Sequence, residues 1–216
     1  LIVELKFNSE KSAINYFQNN TQQLKQSINE FYFNQISKIY PKKNILNSTI
    51  HNEVELNFKA PEGFKLNKKS ENFWWFSNVT IKKDQNGSHE IQKGIVIYKY
   101  PYNDPKQFKI DKQIELRDSI FKIHLKGKNK DSYMITNLNG LNETKSKALT
   151  VNNNYLKRLS GCWRIVNDKM GGSFVSISRL SKDKKNIITA EGYVYAPNFK
   201  KLKLLRELEA IIYSSL

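Results

Sequence analysis

The chain has 216 residues, of which 39% are hydrophobic and 12% aromatic, so it can bury a core and is not a disordered tail. No stretch approaches the roughly 20 consecutive apolar residues that a membrane-spanning helix needs. The net charge is +16, but the 36 basic residues include only five arginines, and the lysines are dispersed. Because base and phosphate recognition relies on arginine, we do not expect a nucleic-acid partner.

The cysteine content and the first residues give limited information. Cys162 is the single cysteine, which excludes an intramolecular disulfide and favours a small buried side chain. The first seven residues, LIVELKF, lack an initiator methionine, a basic segment and a cleavage site, and are typical of a strand. We therefore expect a trimmed chain whose targeting signal lies upstream.

The first half begins with a long helix and continues with strands. Apolar residues three and four apart predict a helix over 10–40, capped by Asn8 or Ser9 and stopped by Pro41. Alternation then predicts a strand that ends in a turn at 60–63. The side chains expected on one face of this strand are Val54, Leu56 and Phe58.

A hairpin and a helix complete this half. Two strands, 72–83 and 88–100, flank the segment DQNG, and Asn-Gly is a strong hairpin signal. Adjacent Trp74 and Trp75 must point to opposite faces, so we expect one in the core and the other partly exposed, where it could stack on a sugar ring or a peptide. Prolines end the second strand, and a helix follows over 109–125.

The second half repeats this order. Strands are expected over 132–137, 155–167, 173–180 and 186–196, with a polar loop at 138–145 and a final helix over 199–214. One side of that helix carries Leu202, Leu205, Leu208, Ile211 and Ile212.

Together the elements predict an α+β fold. We expect antiparallel β-meanders with helices packed on one face, in a single domain over 1–216. Weak matches between the halves suggest an internal duplication of 50–126 and 132–216.

The last strands carry the most unusual polar residues. Alternation places Glu191 on one face of the strand 186–196 together with two tyrosines, and an acid among aromatic side chains needs a countercharge if it is buried. Arg164 and Arg179 lie on candidate neighbouring strands. The arrangement could be a polar groove for a small anion or sugar, or a cross-strand salt bridge. The candidate ligand-binding residues are Glu191, Tyr193, Tyr195, Arg164, Arg179 and Asp168.

Motifs of catalysis are missing from the sequence. It contains no P-loop, dinucleotide-binding glycine pattern, nucleophile elbow or paired-histidine zinc helix. We therefore assign no catalytic residue, cofactor or metal. The acid and base candidates that remain are Asp118, Asp168, Glu191, Glu207, Tyr193 and Tyr195.

Several segments of the C-terminal half are similar to a known family. These are WRIVNDKMGGSFVS at 163–176, EGYVYAP at 191–197 and LRELEAI at 205–211, together with RDSI at 117–120 and DSYM at 131–134. They resemble the uncharacterised Bacteroidetes lipoproteins of domain-of-unknown-function family 4837, densely over 111–137 and 158–216. Ser173 stands where the resemblance leads us to expect proline. The resemblance implies an upstream lipid anchor and a location in the cell envelope, on the periplasmic side or the surface, and it transfers no catalytic residue.

Three hypotheses of function remain open. The first is a non-catalytic binding or structural protein of the cell envelope, with a peptide, a glycan or another envelope component as its partner. The second is a hydrolase of envelope or dietary glycans or peptides, which would require two carboxylates facing one cleft about 5–10 Å apart. The third is an anionic-polymer binding protein, which would gather its lysines on one face.

Overall fold

The computed structural model describes residues 2–39, 54–58, 62–85, 87–139, 143–151 and 154–215. The predicted first helix is confirmed as α1 (Glu10–Ile39). Its start is capped by Ser9, whose hydroxyl accepts a hydrogen bond from the backbone N–H of Ser12 at 3.2 Å. The predicted stop at Pro41 lies outside the described residues. Residues 2–7, expected to be a strand, have no regular secondary structure.

One antiparallel sheet of eight strands forms the centre of the described part of the chain. The strand order is β1-β2-β3-β8-β7-β6-β4, and β5 also pairs with β6. The strands are β1 (Lys65–Ser70), β2 (Phe73–Asp84), β3 (Gly87–Pro101), β4 (Met134–Thr136), β5 (Lys145–Val151), β6 (Asn154–Ile165), β7 (Gly171–Leu180) and β8 (Asn186–Tyr195).

Two helices cover the sheet, one on each face. The helix α2 (Ile110–His124) follows a 3-10 turn at Pro105–Phe108, and α3 (Lys201–Tyr213) closes the described chain. Phe121 of α2 packs with one apolar cluster, and Leu208 of α3 packs with another. The α+β class is therefore confirmed, whereas the expectation that the helices share one face is wrong.

Strand alternation explains why there are two apolar clusters. On β3, Ile95 and Ile97 point towards α3, and Val96 and Tyr98 beside them point towards α2. The central strands are consequently buried on both sides, which a sheet with one solvated face would not be. The side of the sheet covered by α2 is called the α2 face, and the opposite side is called the α3 face.

Three local expectations are corrected. Val54, Leu56 and Phe58 are buried, but they do not lie on a strand, because Glu55 has a positive φ of 53° that extended pairing does not allow. The strands β1 and β5 are not predicted by the sequence pattern. β1 has the sequence KLNKKS and lies at an exposed sheet edge, so it shows no apolar alternation, and β5 overlaps the end of the loop expected over 138–145.

The two halves of the chain meet at the middle of the sheet. β3, the last strand of the first half, pairs antiparallel with β8, the last strand of the second half. Each half is a run of antiparallel strands followed by one helix. The internal duplication itself stays a prediction.

Candidate functional site

Glu191, the acid singled out from the sequence, is fully buried in an ion pair with Arg117 of α2. Both side chains have 0% exposure. The guanidinium donates from Nη2 to Oε1 at 2.7 Å and from Nε to Oε2 at 2.8 Å, so both carboxylate oxygens are occupied. This bidentate pair fastens α2 to the centre of the sheet.

The remaining donors of Arg117 hold the segment that follows α2. Nη1 donates to Asp118 Oδ1 at 3.0 Å and to Thr136 Oγ1 at 3.1 Å. Thr136 in turn donates its backbone N–H and its hydroxyl to the same Asp118 oxygen, each at 2.8 Å. The guanidinium carbon also lies 4.3 Å from the Phe121 ring centroid and 4.1 Å from that of Phe174. The buried guanidinium of Arg117 thus links α2 to β4 through Thr136 and to β8 through Glu191.

The electrostatics follow from this burial. Burial raises the pKa of the Glu191 carboxyl, and the attraction of Arg117 offsets part of that effect. Burial alone would lower the pKa of Arg117, but Glu191 and Asp118 reverse the direction and raise it. Because arginine stays charged at any ordinary pH, the pair is ionised near neutrality. Its carboxylate has no exposed atom with which to reach a substrate.

The two arginines expected to balance Glu191 do not do so. Arg164 is exposed between Trp163 and Ile165, which point towards α2, so it lies on the α3 face. Arg179 also lies on the α3 face, where Nη1 donates to the carbonyl of Leu180 at 2.8 Å and Nη2 to that of Glu55.

Asp168 has a local structural role. Its Oδ1 accepts from the backbone N–H groups of Lys169 at 2.6 Å and Met170 at 3.2 Å, and thereby caps the turn before β7. Of the six candidate residues, Glu191, Tyr193 and Tyr195 lie together on the α2 face, and the two arginines lie on the opposite face.

An aromatic group lies beside the ion pair on the α2 face. The hydroxyl of Tyr193 accepts from Trp75 Nε1 at 2.9 Å and from Gln92 Nε2 at 3.3 Å. Trp163 stands edge-on to Tyr193, with ring centroids 5.5 Å apart. Trp75, Gln92 and Tyr195 are half-buried, so this group reaches the surface. It is called the aromatic surface, defined by Trp75, Gln92, Tyr193 and Tyr195.

A glycine makes room for this arrangement. Gly94 pairs with Tyr193 across the β3–β8 ladder, and a Cβ at Gly94 would come within 2.1 Å of the tyrosine ring. The ring therefore lies flat across β3 towards Trp75. Trp74 is buried while Trp75 is half-buried, which confirms the prediction that the adjacent tryptophans divide between core and surface.

The sequence did contain a signal for Arg117. Ile114, Arg117 and Phe121 are spaced by three and four, so a cation occupies a position on the apolar side of α2. A cation at such a position requires a buried anion, and Glu191 is the acid that requires a countercharge if it is buried. Reading the two together would have predicted the pair.

Two further features are missing from the described residues. No helix among them is long and apolar enough to cross a membrane. The same residues hold no group of three or more His, Cys, Asp or Glu side chains suited to a metal ion.

The protein belongs to the α+β class: an antiparallel sheet carries a helix on each face, and a buried arginine–glutamate pair joins α2 to the sheet. The chain belongs to the family described as Domain of unknown function (DUF4837), whose model matches residues 42–214. The match includes all five segments that carried the resemblance and extends further towards the N-terminus.

Similarity to solved structures is distant. The chain is similar to a mutant of the protein Mog1, with 7% identity, a TM-score of 0.37, and coverage of 81% of this chain and 90% of that one. No curated protein matches the chain.

Proposed function

We propose that this chain is a non-catalytic binding protein of the bacterial cell envelope, anchored by an upstream lipid as in the Bacteroidetes lipoproteins that it resembles. Its ligand, a glycan or a peptide, would bind on the aromatic surface. One observation carries the proposal: the rim formed by Trp75, Gln92 and Tyr195 is half-buried, and Trp75 is held in a fixed orientation by its hydrogen bond to Tyr193.

Rigid aromatic edges of this kind suit sugar and peptide ligands. Tryptophan and tyrosine offer a broad apolar face with few rotatable bonds, so little conformational entropy is lost when a ligand stacks on them. Gln92 adds an amide beside the rings, which can exchange hydrogen bonds with a hydroxyl or a backbone group. Together these groups combine an apolar platform with a polar edge.

The geometry gives less support to a hydrolase. Asp118 and Glu191 both bond to Arg117, but Glu191 is fully buried and both of its oxygens are occupied. A substrate could reach this carboxylate only if α2 moved away. General acid–base chemistry needs a group within hydrogen-bond reach of the substrate.

The location is tested on the full-length gene product. We expect incorporation of a labelled fatty acid and recovery with the envelope after cell fractionation. A cytosolic, unacylated product would refute the envelope proposal.

Binding is tested by tryptophan fluorescence during titration with envelope oligosaccharides and peptides. Trp75→Phe keeps an aromatic ring but shortens the platform and removes the Nε1 donor, so we expect affinity to fall roughly tenfold, equal to about 1.4 kcal/mol. Tyr155→Phe is the matched control, because Tyr155 is 49% exposed on β6, outside the aromatic surface. Equal affinities for both variants would remove the aromatic surface from consideration.

A further inference from the structure

The aromatic surface continues along β2 as a line of aliphatic side chains. Val79 lies opposite Gln92, and Gln92 lies opposite Tyr195 on β8. Residues opposite one another in an antiparallel ladder project to the same face, so Val79 extends the aromatic surface by one strand, and Ile81 follows two residues later. Val79 is 53% exposed and Ile81 71%. These two side chains are called the aliphatic strip.

The outer half of β2 reverses the usual alternation of a strand with one open side. Thr80 and Lys82 point to the α3 face, where Lys82 Nζ lies 4.7 Å from the ring centroid of Phe199. Val79 and Ile81 point to the α2 face and stay more than half exposed. A strand with one solvated face normally turns polar side chains towards water. The reversed order indicates that a partner covers the α2 side of this hairpin.

The helix α2 crosses the same face beside the aliphatic strip. Near the start of α2, Gln113 Nε2 donates to Ser178 Oγ on β7 at 3.5 Å. At its end, His124 stacks on Phe73 of β2 with ring centroids 4.2 Å apart. Ser178 and Phe73 belong to one row of the sheet, linked through β8 and β3. The helix therefore lies across the strands and leaves the rows of the aliphatic strip uncovered.

The uncovered area has the width of one helix. From Ser77 to Ile81 the strand advances by four residues, about 13 Å, and an α-helix with its side chains is about 10 Å wide. A helix satisfies its own backbone hydrogen bonds, whereas an extended peptide that lies on a sheet face, away from an edge, leaves backbone groups unpaired. A glycan would set hydroxyl groups against Val79 and Ile81, whose side chains offer no hydrogen bond. An amphipathic helix is therefore the ligand that this area fits.

We propose that the aromatic surface and the aliphatic strip together bind an amphipathic helix of a partner protein, which packs beside α2. The apolar stripe of this helix lies on Trp75, Val79 and Ile81. Glu90 is exposed opposite Ile81 on the same face, and it receives a lysine or arginine from the flank of the helix. The inference rests on the function proposed for the aromatic surface, and it selects a helical peptide over a glycan as the ligand.

The test begins with a displayed library of single-helix peptides of about 18 residues, five turns, selected on the 216-residue chain. We expect the enriched peptides to carry apolar residues three and four positions apart, and to gain helical circular dichroism when they bind. Enrichment of peptides without this spacing, or no enrichment at all, would overturn the inference.

A paired variant tests the aliphatic strip itself. Val79→Thr/Ile81→Thr keeps both side chains β-branched, as a strand prefers, but places hydroxyl groups in an apolar contact. We expect the affinity for a selected peptide, measured by fluorescence anisotropy, to fall at least tenfold.

The matched control changes the other face of the same strand. Thr80→Ser/Lys82→Gln should leave the affinity unchanged, because both side chains point away from the aliphatic strip. All four positions are exposed, so urea unfolding should show nearly unchanged stability for both variants. An unchanged affinity of the threonine variant, or an equal loss in the control, would show that the aliphatic strip does not bind the helix.

Oligosaccharide titrations separate this inference from the proposed function. Oligosaccharides that lose affinity in Trp75→Phe but keep it in Val79→Thr/Ile81→Thr would leave the aromatic surface as a binding site and overturn the helix as its ligand. If Trp75→Phe changes the affinity of neither oligosaccharides nor selected peptides, the proposed function fails as well. Self-association of the chain in analytical ultracentrifugation that disappears in the threonine variant would assign the strip to a second copy, and would also overturn the inference.

Discussion

Replacing Arg117 by methionine would leave the carboxylate of Glu191 buried beneath α2 without its partner. In the native chain this carboxylate accepts two N–H groups, at 2.7 and 2.8 Å, and is 0% exposed. Removing one member of a buried pair typically costs about 3–5 kcal/mol, because the other charge stays desolvated. Native domains have only about 5–15 kcal/mol of stability in total. We expect Arg117→Met to lose a large part of it.

Further variants show how much of this lost stability comes from the desolvated carboxylate of Glu191 and how much from its lost attraction to Arg117. Arg117→Met/Glu191→Leu removes both charges and should cost less than Arg117→Met alone, since no unpaired ion remains. The hydrogen bond from Arg117 to Thr136 and that to Asp118 are lost in either case, so some destabilisation should persist. Arg158→Met is a comparison variant, because the Arg158 side chain is 27% exposed although its partner Glu209 is only 7% exposed. Water reaches the arginine side of this pair, so we expect its loss to cost less than Arg117→Met but more than the loss of a fully exposed pair.

Urea unfolding followed by tryptophan fluorescence measures each free energy of unfolding. Arg117→Met, Glu191→Leu and the double variant complete a double-mutant cycle. Burial already raises the pKa of Glu191 above its ordinary 4.5, and loss of Arg117 raises it further. A carboxyl group whose pKa is raised by folding destabilises the folded state at high pH, where the group is ionised. This destabilisation disappears as the pH falls and the carboxyl group binds its proton. The cost of Arg117→Met should therefore be smaller at mildly acidic than at neutral pH. Additive free energies, or a cost below about 1 kcal/mol at neutral pH, would refute the reasoning.

The remaining predictions concern the packing and ionisation of the α2 face. Gly94→Ala should lower the free energy of unfolding by about 1–3 kcal/mol, because the new Cβ would lie 2.1 Å from the Tyr193 ring. Gly172→Ala should lower it further, because its Cβ would lie 1.9 Å from a backbone carbonyl oxygen. Thermal unfolding checks this order, and a Gly172 variant more stable than the Gly94 variant would contradict it. Burial raises the pKa of Tyr100 to about 12 and raises those of Tyr98 and Tyr193 above their ordinary 10.0. These tyrosines should leave stability unchanged below pH 10 and reduce it above, because the unfolded chain ionises first. Phenolate absorbance that reaches the level of all 11 tyrosines of the chain before unfolding would show that these three are not buried.

Periodicity was sufficient to predict most of the elements of the fold. The spacing of apolar residues located all three described helices, and Asn-Gly located the β2–β3 hairpin, because these patterns reflect burial on one side of a local element. β1 has the sequence KLNKKS and lies at an edge of the sheet, so it lacks the alternation of apolar residues by which a strand is predicted. The two-sided placement of the helices depends on which strands become neighbours. No single segment contains that information.

The candidate site was predicted in part. Alternation correctly grouped Glu191, Tyr193 and Tyr195 on one face, since that grouping depends on a single strand. The countercharge was assigned to Arg164 and Arg179, although a side chain on a neighbouring strand can serve only if its register also places it on the same face. Arg117 comes from a helix 74 residues away in sequence. Pairing across such a distance is decided by topology rather than by local pattern.

The position of β8 has a consequence for how the chain is made. β8 is synthesised last among the strands, yet it lies between β3 and β7, and Val96 pairs with Glu191 across 95 residues, the difference of their numbers. While a ribosome is still producing the C-terminal part, the inner edge of β3 has no partner, and open strand edges invite pairing between chains. Half-made chains should therefore be the aggregation-prone species, and a chaperone that shields them until release should improve the yield of folded protein.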